Sequence, residues 1–154
     1  MYKRTAMLVL VFALGCTAAM AQRDAFLGTW KMDPAQSTYN PGPPPKSQTV
    51  TWERWQGGYK AIVDTITAQG KSTHFEVTFK LDGKPHPMPR AGRNTTVTFK
   101  RMDHSFENVT RVNGKMTFAS RRVVSRDGKT FTLTQTGTNA QGQTVNNRIV
   151  YTRQ

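Results

Sequence analysis

The chain has 154 residues, with 22 Lys and Arg against 9 Asp and Glu, a formal net charge of +13 and a single cysteine. This length suits one domain that buries a core without covalent staples, and a lone cysteine excludes an internal disulfide and a cysteine-based metal site. So positive a chain admits three kinds of partner, nucleic acid, an anionic envelope surface or a small acidic ligand. The basic residues are scattered, adjacent after the first few residues only at Lys100-Arg101 and Arg121-Arg122, and the absence of a concentrated basic stripe argues against nucleic acid.

Lys3 and Arg4, the apolar run Ala6 to Leu14 and the small-residue site Ala19-Met20-Ala21 have the layout of a secretory signal. The expected division is therefore a leader over residues 1–21 and a single domain over 22–154, in the periplasm or outside the cell. No stretch is long and apolar enough for a transmembrane helix. Ala13-Leu14-Gly15-Cys16 partly resembles a bacterial lipoprotein box, so lipid anchoring through Cys16 is the alternative outcome of export.

Phe26 to Lys31 reads as the first strand. Gly28 lets the backbone approach another segment closely, and Trp30 brings a large apolar surface with one N–H that needs an acceptor. Trp30 serves either as an ordinary core tryptophan or as the plug of a closed barrel end. The Gly28-x-Trp30 pair resembles the opening of the calycin barrels, lipocalins and fatty-acid-binding proteins. That resemblance implies an indole packed beneath the barrel beside an arginine of the last strand, where Arg148 and Arg153 stand. The prolines from Pro34 to Pro45 oppose both strand and helix, so residues 34–47 are expected to form a loop across one barrel end, without the helical pair that fatty-acid-binding proteins carry there.

From Gln48 onward, runs rich in Thr, Val, Phe, Ile and Tyr alternate with turn signals at Gln56-Gly57-Gly58, Gln69-Gly70, Asp82-Gly83, Asn113-Gly114, Asp127-Gly128 and Gln141-Gly142. These delimit strands near 26–33, 48–56, 59–67, 72–82, 94–102, 105–112, 115–125, 129–138 and 143–153. The expected fold is all-β, an up-and-down antiparallel meander of about 8–10 strands closed into a lipocalin-like barrel, since closure removes exposed edges.

Alternation assigns the faces. Phe75, Val77, Phe79 and Leu81 share one side of their strand, and Trp52 shares a side with Val50. Phe106 and Asn108 form a mixed row, as do Met116, Phe118, Ser120 and Arg122, which suits a partly wet interior. The candidate ligand-binding residues are accordingly Trp52, Phe79, Phe106, Phe118, Arg122 and Tyr151, with Gly28, Trp30 and Arg153 as the closure of the barrel. In fatty-acid-binding proteins an Arg-x-Tyr on the closing strand grips a carboxylate. Here Arg148-x-x-Tyr151 sets the two on opposite faces, whereas Tyr151 and Arg153 share one, leaving a clamp or a structural pairing of Arg153 with Trp30 open.

His74, His86 and His104 lack the close spacing of metal ligands, and His86 sits in the proline-rich stretch Lys84 to Arg90, expected to be a loop. No nucleophile elbow, phosphate loop or dinucleotide fingerprint occurs, so no catalytic residue, metal or cofactor is expected. The segments Gly28-Thr29-Trp30-Lys31, Asp33-Pro34-Ala35-Gln36-Ser37, Pro41 to Val50 and Ser125 to Thr130 together resemble uncharacterised, secreted, lipocalin-like bacterial proteins. This implies the barrel and export but no activity. The expected function is binding of a small apolar or amphipathic ligand, with the charge favouring an anion. The alternatives are a filled barrel that recognises an envelope protein or anionic surface, and an isomerase or cyclase using a barrel acid.

Overall fold

The computed structural model describes residues 24–88, 92–102, 104–139 and 141–154. The expected leader and Cys16 lie outside them. Ten strands follow in chain order: β1 (Gly28–Thr38), β2 (Ser47–Trp55), β3 (Gly58–Ile66), β4 (Ser72–Lys80), β5 (Asp82–Pro87), β6 (Thr95–Met102), β7 (Ser105–Val112), β8 (Lys115–Val124), β9 (Thr130–Thr138) and β10 (Thr144–Arg153). Among the described residues there is no helix.

All ten belong to one antiparallel sheet in the order β4-β3-β2-β1-β10-β9-β8-β7-β6-β5. Consecutive strands pair everywhere except between β4 and β5, and β1 joins β10 in the register Trp30 to Arg153 and Met32 to Tyr151. The sheet thus curls into a nearly closed barrel whose seam lies between β4 and β5, which are consecutive but unpaired. The tight turns follow the sequence signals. Asn113 and Gly114 both take positive φ, 50° and 77°, the requirement of a two-residue hairpin. At the β3–β4, β8–β9 and β9–β10 connections a glycine N–H closes the turn onto the carbonyl three residues earlier, from Gly70 to Thr67, Gly128 to Ser125 and Gly142 to Asn139.

Three expectations are corrected. First, β1 continues to Thr38 instead of giving way to a loop at residue 34. Pro34 is tolerated because the strand bulges between Asp33 and Thr38, where the Asp33 carboxylate accepts from the N–H groups of Ala35 and Gln36. Second, Asp82-Gly83 does not close a hairpin, and Pro85-His86-Pro87 is not loop but part of β5, paired on one side to β6. Proline lacks a donor, and an edge strand facing the seam needs none on its free side. Third, Met116 is 65% exposed and does not share the face of Phe118, because a bulge shifts the register between Thr110 and Arg111, pairing Phe118 with Thr110 and Met116 with Arg111.

The core fills one end of the barrel. Phe26, Trp30, Tyr59, Phe106, Phe131 and Tyr151 are all buried to within 2%, each such side chain worth about 1.5–3 kcal/mol relative to exposure. Aromatic packing is mostly edge-to-face, as between Trp30 and Phe131 at 5.0 Å and Phe26 and Phe106 at 4.8 Å. Phe26, Trp30, Tyr59 and Phe106 occupy the closed end, and Phe131 and Tyr151 reach up from it into the wall of the space that remains.

Candidate functional site

At the closed end, Trp30 donates its indole N–H to the Phe26 carbonyl at 2.8 Å. The Arg153 guanidinium lies 4.1 Å from the Trp30 ring centroid and donates to the carbonyls of Ala25, Leu27 and Gly128 at 2.6–2.8 Å. Gly28 has φ of +114°, and a Cβ there would stand 3.1 Å from an Arg153 nitrogen. Close backbone approach and a positive φ both require glycine at this position. All the geometry of Arg153 is spent on the barrel end, so Tyr151-x-Arg153 does not form a clamp around interior space.

Beside this lies a second polar knot. Asp24 accepts from the Tyr59 hydroxyl and faces the Arg101 guanidinium, which also donates to Tyr59. Burial pushes the Asp24 carboxyl up, but the hydrogen bonds from Tyr59, the Phe26 N–H and Arg101 outweigh it and hold the group below its ordinary value. Burial and the Asp24 carboxylate push the Tyr59 phenol well up. This acid is paired and lies at the closed end, so it offers no free base to the interior.

Above the aromatic plug is a cavity of about 210 Å³. Its walls come from β2 (Val50, Trp52), β3 (Ala61, Val63), β4 (Phe75, Val77, Phe79), β6 (Phe99), β8 (Arg122), β9 (Phe131, Leu133) and β10 (Tyr151), with Gln48 at its rim. Two aromatic slabs stiffen it. Phe79 stacks on Phe99 at 3.9 Å, and Phe131 stacks on Tyr151 at 4.3 Å. Toward the open end, Gln48 and Leu133 also border a hollow of about 420 Å³ under the Tyr39 to Pro45 loop. Toward the seam, Phe75 and Val77 also border a groove of about 690 Å³ between β4 and the end of β5.

Arg122 is the one cation in that wall. Its Nη1 donates to Asn108 Oδ1 at 2.7 Å, an oxygen that also accepts from Ser120 Oγ at 2.6 Å. Asn108 and Ser120 are themselves buried. The guanidinium sits 5.0 Å from the Phe106 ring and 5.8 Å from the Trp52 ring. Among the described residues no carboxylate pairs with Arg122, whereas Arg54, Arg101 and Arg121 each have one. Burial lowers its pKa to about 10, against a small opposing influence of Tyr151. Next to it, the Trp52 indole N–H is buried without an acceptor. An interior with an unneutralised cation and an orphaned donor is short of negative charge and of acceptors.

Of the residues singled out from the sequence, Trp52, Phe79, Arg122 and Tyr151 line the cavity together. Phe106 lies beneath it, packed on Trp52 and Phe79 and under the Arg122 guanidinium. Phe118 does not line it and packs over Gly137 instead. Lining residues absent from those candidates include Gln48, Ala61, Val63, Phe99, Phe131 and Leu133. Phe99 alternates with Val97, a signal that was present; Gln48 stands at a strand start and carries none. The Tyr151 hydroxyl donates to Gln48 Oε1, closing the rim of the cavity on the side of the hollow.

No family model matches the chain, and no curated protein matches it either. Solved structures do. The wild-type fluorescent protein UnaG is 20% identical over 84% of this chain and 97% of its own, with a TM-score of 0.54. A fatty-acid-binding protein from brain tissue of Drosophila melanogaster is 16% identical over 82% of this chain and 98% of its own, with a TM-score of 0.50. At such identities the likeness is one of fold. The chain shares their barrel fold, and no helix covers it among the described residues.

Proposed function

We propose that this is an exported binding protein that holds a small amphipathic anion inside the barrel, with the charged end on Arg122 and the apolar body among Trp52, Phe79, Phe99 and Tyr151. The observation that carries the reading is the interior guanidinium without an acid. Asn108 holds one edge of that fork, and a bound carboxylate or similar anion would supply the missing charge through charge-assisted hydrogen bonds. The name of the Drosophila neighbour points to ligands of the same general kind. The space left inside favours this reading over a filled barrel acting through its basic exterior.

The test is titration of the protein with 1-naphthoate, an anion small enough for the interior, followed by quenching of tryptophan fluorescence. Arg122→Met should weaken its binding at least tenfold while leaving affinity for uncharged 1-naphthalenemethanol within about twofold, since only a charge-assisted contact of about 1.5–3 kcal/mol is removed. Equal loss for both ligands, or none for the anion, would defeat the assignment. Export is a separate part of the proposal. Protein recovered from its native source should begin at Gln22, and a chain beginning at lipid-modified Cys16 would replace secretion by anchoring.

A further inference from the structure

We infer that the occupant is a compact aromatic monocarboxylate, one or two fused rings in size, and that the contact between Tyr151 and Gln48 sets this limit on the side of the open end. The inference rests on the reading that the interior binds an anion, and it names which anion. Three observations carry it. The first is volume: about 210 Å³ is somewhat more than the roughly 150 Å³ of a dry cavity that takes benzene, and less than the roughly 300–1,000 Å³ usual for larger ligands.

The second is the shape of the walls. The two stacked pairs, Phe79 with Phe99 and Phe131 with Tyr151, present ring faces and edges that suit another rigid ring. A flexible alkyl chain would lose more internal freedom in the same space. The third is charge. One guanidinium meets two neutral partners, Asn108 at 2.7 Å and, more distantly, Ser120 at 3.5 Å, so a single negative charge is balanced and a second would be buried without a counter-ion.

A longer ligand must leave the cavity. Toward the seam, past Phe75 and Val77, it meets a groove bordered by Lys60, His74 and Glu76. Toward the open end the way runs past Gln48, which the Tyr151 hydroxyl and Thr65 Oγ1 both hold in place. Beyond it the hollow mixes Thr65, Thr67, Gln69 and Gln135 with apolar residues such as Tyr39 and Ile149, so an alkyl tail gains from it only once Gln48 has moved aside. Gln48 is thus a size-determining residue rather than a contact for the charged group.

The experiment is isothermal titration of the protein with 1-naphthoate, indole-3-acetate and dodecanoate, the last kept below its micellar concentration, in the wild type, Arg122→Met and Gln48→Ala. The aromatic acids should bind at least tenfold tighter than dodecanoate and lose at least tenfold in Arg122→Met. Gln48→Ala should shift the preference toward dodecanoate, raising its affinity relative to that of 1-naphthoate at least fivefold. Gln48→Asn, shorter but still an amide, replaces it if the alanine variant folds poorly. Arg122-dependent binding in which dodecanoate equals or exceeds the aromatic acids would overturn the size inference and leave the anion reading standing. Failure of all three acids to bind in an Arg122-dependent manner would overturn both.

Discussion

Arg122 opposes the stability of the empty barrel. A base whose folded pKa lies below its unfolded value disfavours folding wherever it is charged. Here the fall from the ordinary arginine value to about 10 amounts to about 3 kcal/mol at neutral pH, relieved as pH rises above about 10 toward that ordinary value. Arg122→Met should therefore raise the stability of the ligand-free protein by about 1–3 kcal/mol, since Asn108 Oδ1 keeps its bond from Ser120. Urea midpoints at pH 7 read this directly, and a variant less stable than wild type would mean that the cation is compensated within the fold. The same titration governs the proposed binding: an anion held by Arg122 should be retained at neutral pH and released as pH climbs through about 10. Trp30 and Arg153 behave oppositely, because both stabilise. Trp30→Ala should cost about 3–5 kcal/mol and Arg153→Met about 2–3 kcal/mol. Their stacking at 4.1 Å makes the double-mutant loss smaller than the sum. Additive losses in denaturant midpoints would show that the guanidinium acts only through the carbonyls of Ala25, Leu27 and Gly128.

The strands follow from alternation and from the glycine turns, which is why nine of the ten were legible before any coordinates. What escaped is instructive at this scale. β5 contains Pro85 and Pro87, which contradict a strand with neighbours on both sides and are harmless in one bordering the seam. The seam itself is a missing set of bonds between β4 and β5, and nothing in either segment encodes a pairing that fails to form. The interior row was half legible: Trp52, Phe79, Arg122 and Tyr151 follow from period two, whereas the β8 bulge at Thr117 turns Met116 outward, and no local signal marks it. The seam has a measurable consequence. Amides of β4 that point away from β3 have no strand to receive them, so about half of the β4 N–H groups should exchange with solvent far faster than those of β9 and β10, which are paired on both sides. Uniform protection across β4 in hydrogen-exchange measurements would mean that the seam closes in solution.

For the whole molecule, the formal charge of +13 and the single interior cation act on different steps of binding. The distributed exterior charge attracts an anion over distances comparable with the Debye length, roughly 10 Å at 0.1 M salt, and speeds its arrival. Removal of the expected leader would take only two of these charges, so the field survives export. Arg122, enclosed by Phe106, Trp52 and Asn108, is poorly reached by counter-ions and governs how long the anion stays. Raising sodium chloride from 20 to 500 mM should therefore slow association of 1-naphthoate several-fold, read as tryptophan quenching in stopped-flow fluorescence, while changing its dissociation rate less than about twofold. Arg122→Met should invert the pattern, with an association rate near wild type and faster dissociation. A dissociation rate that rises steeply with salt in the wild type would place the anion on the exterior, among the scattered lysines and arginines, and return the barrel to the rival role of a basic interaction surface.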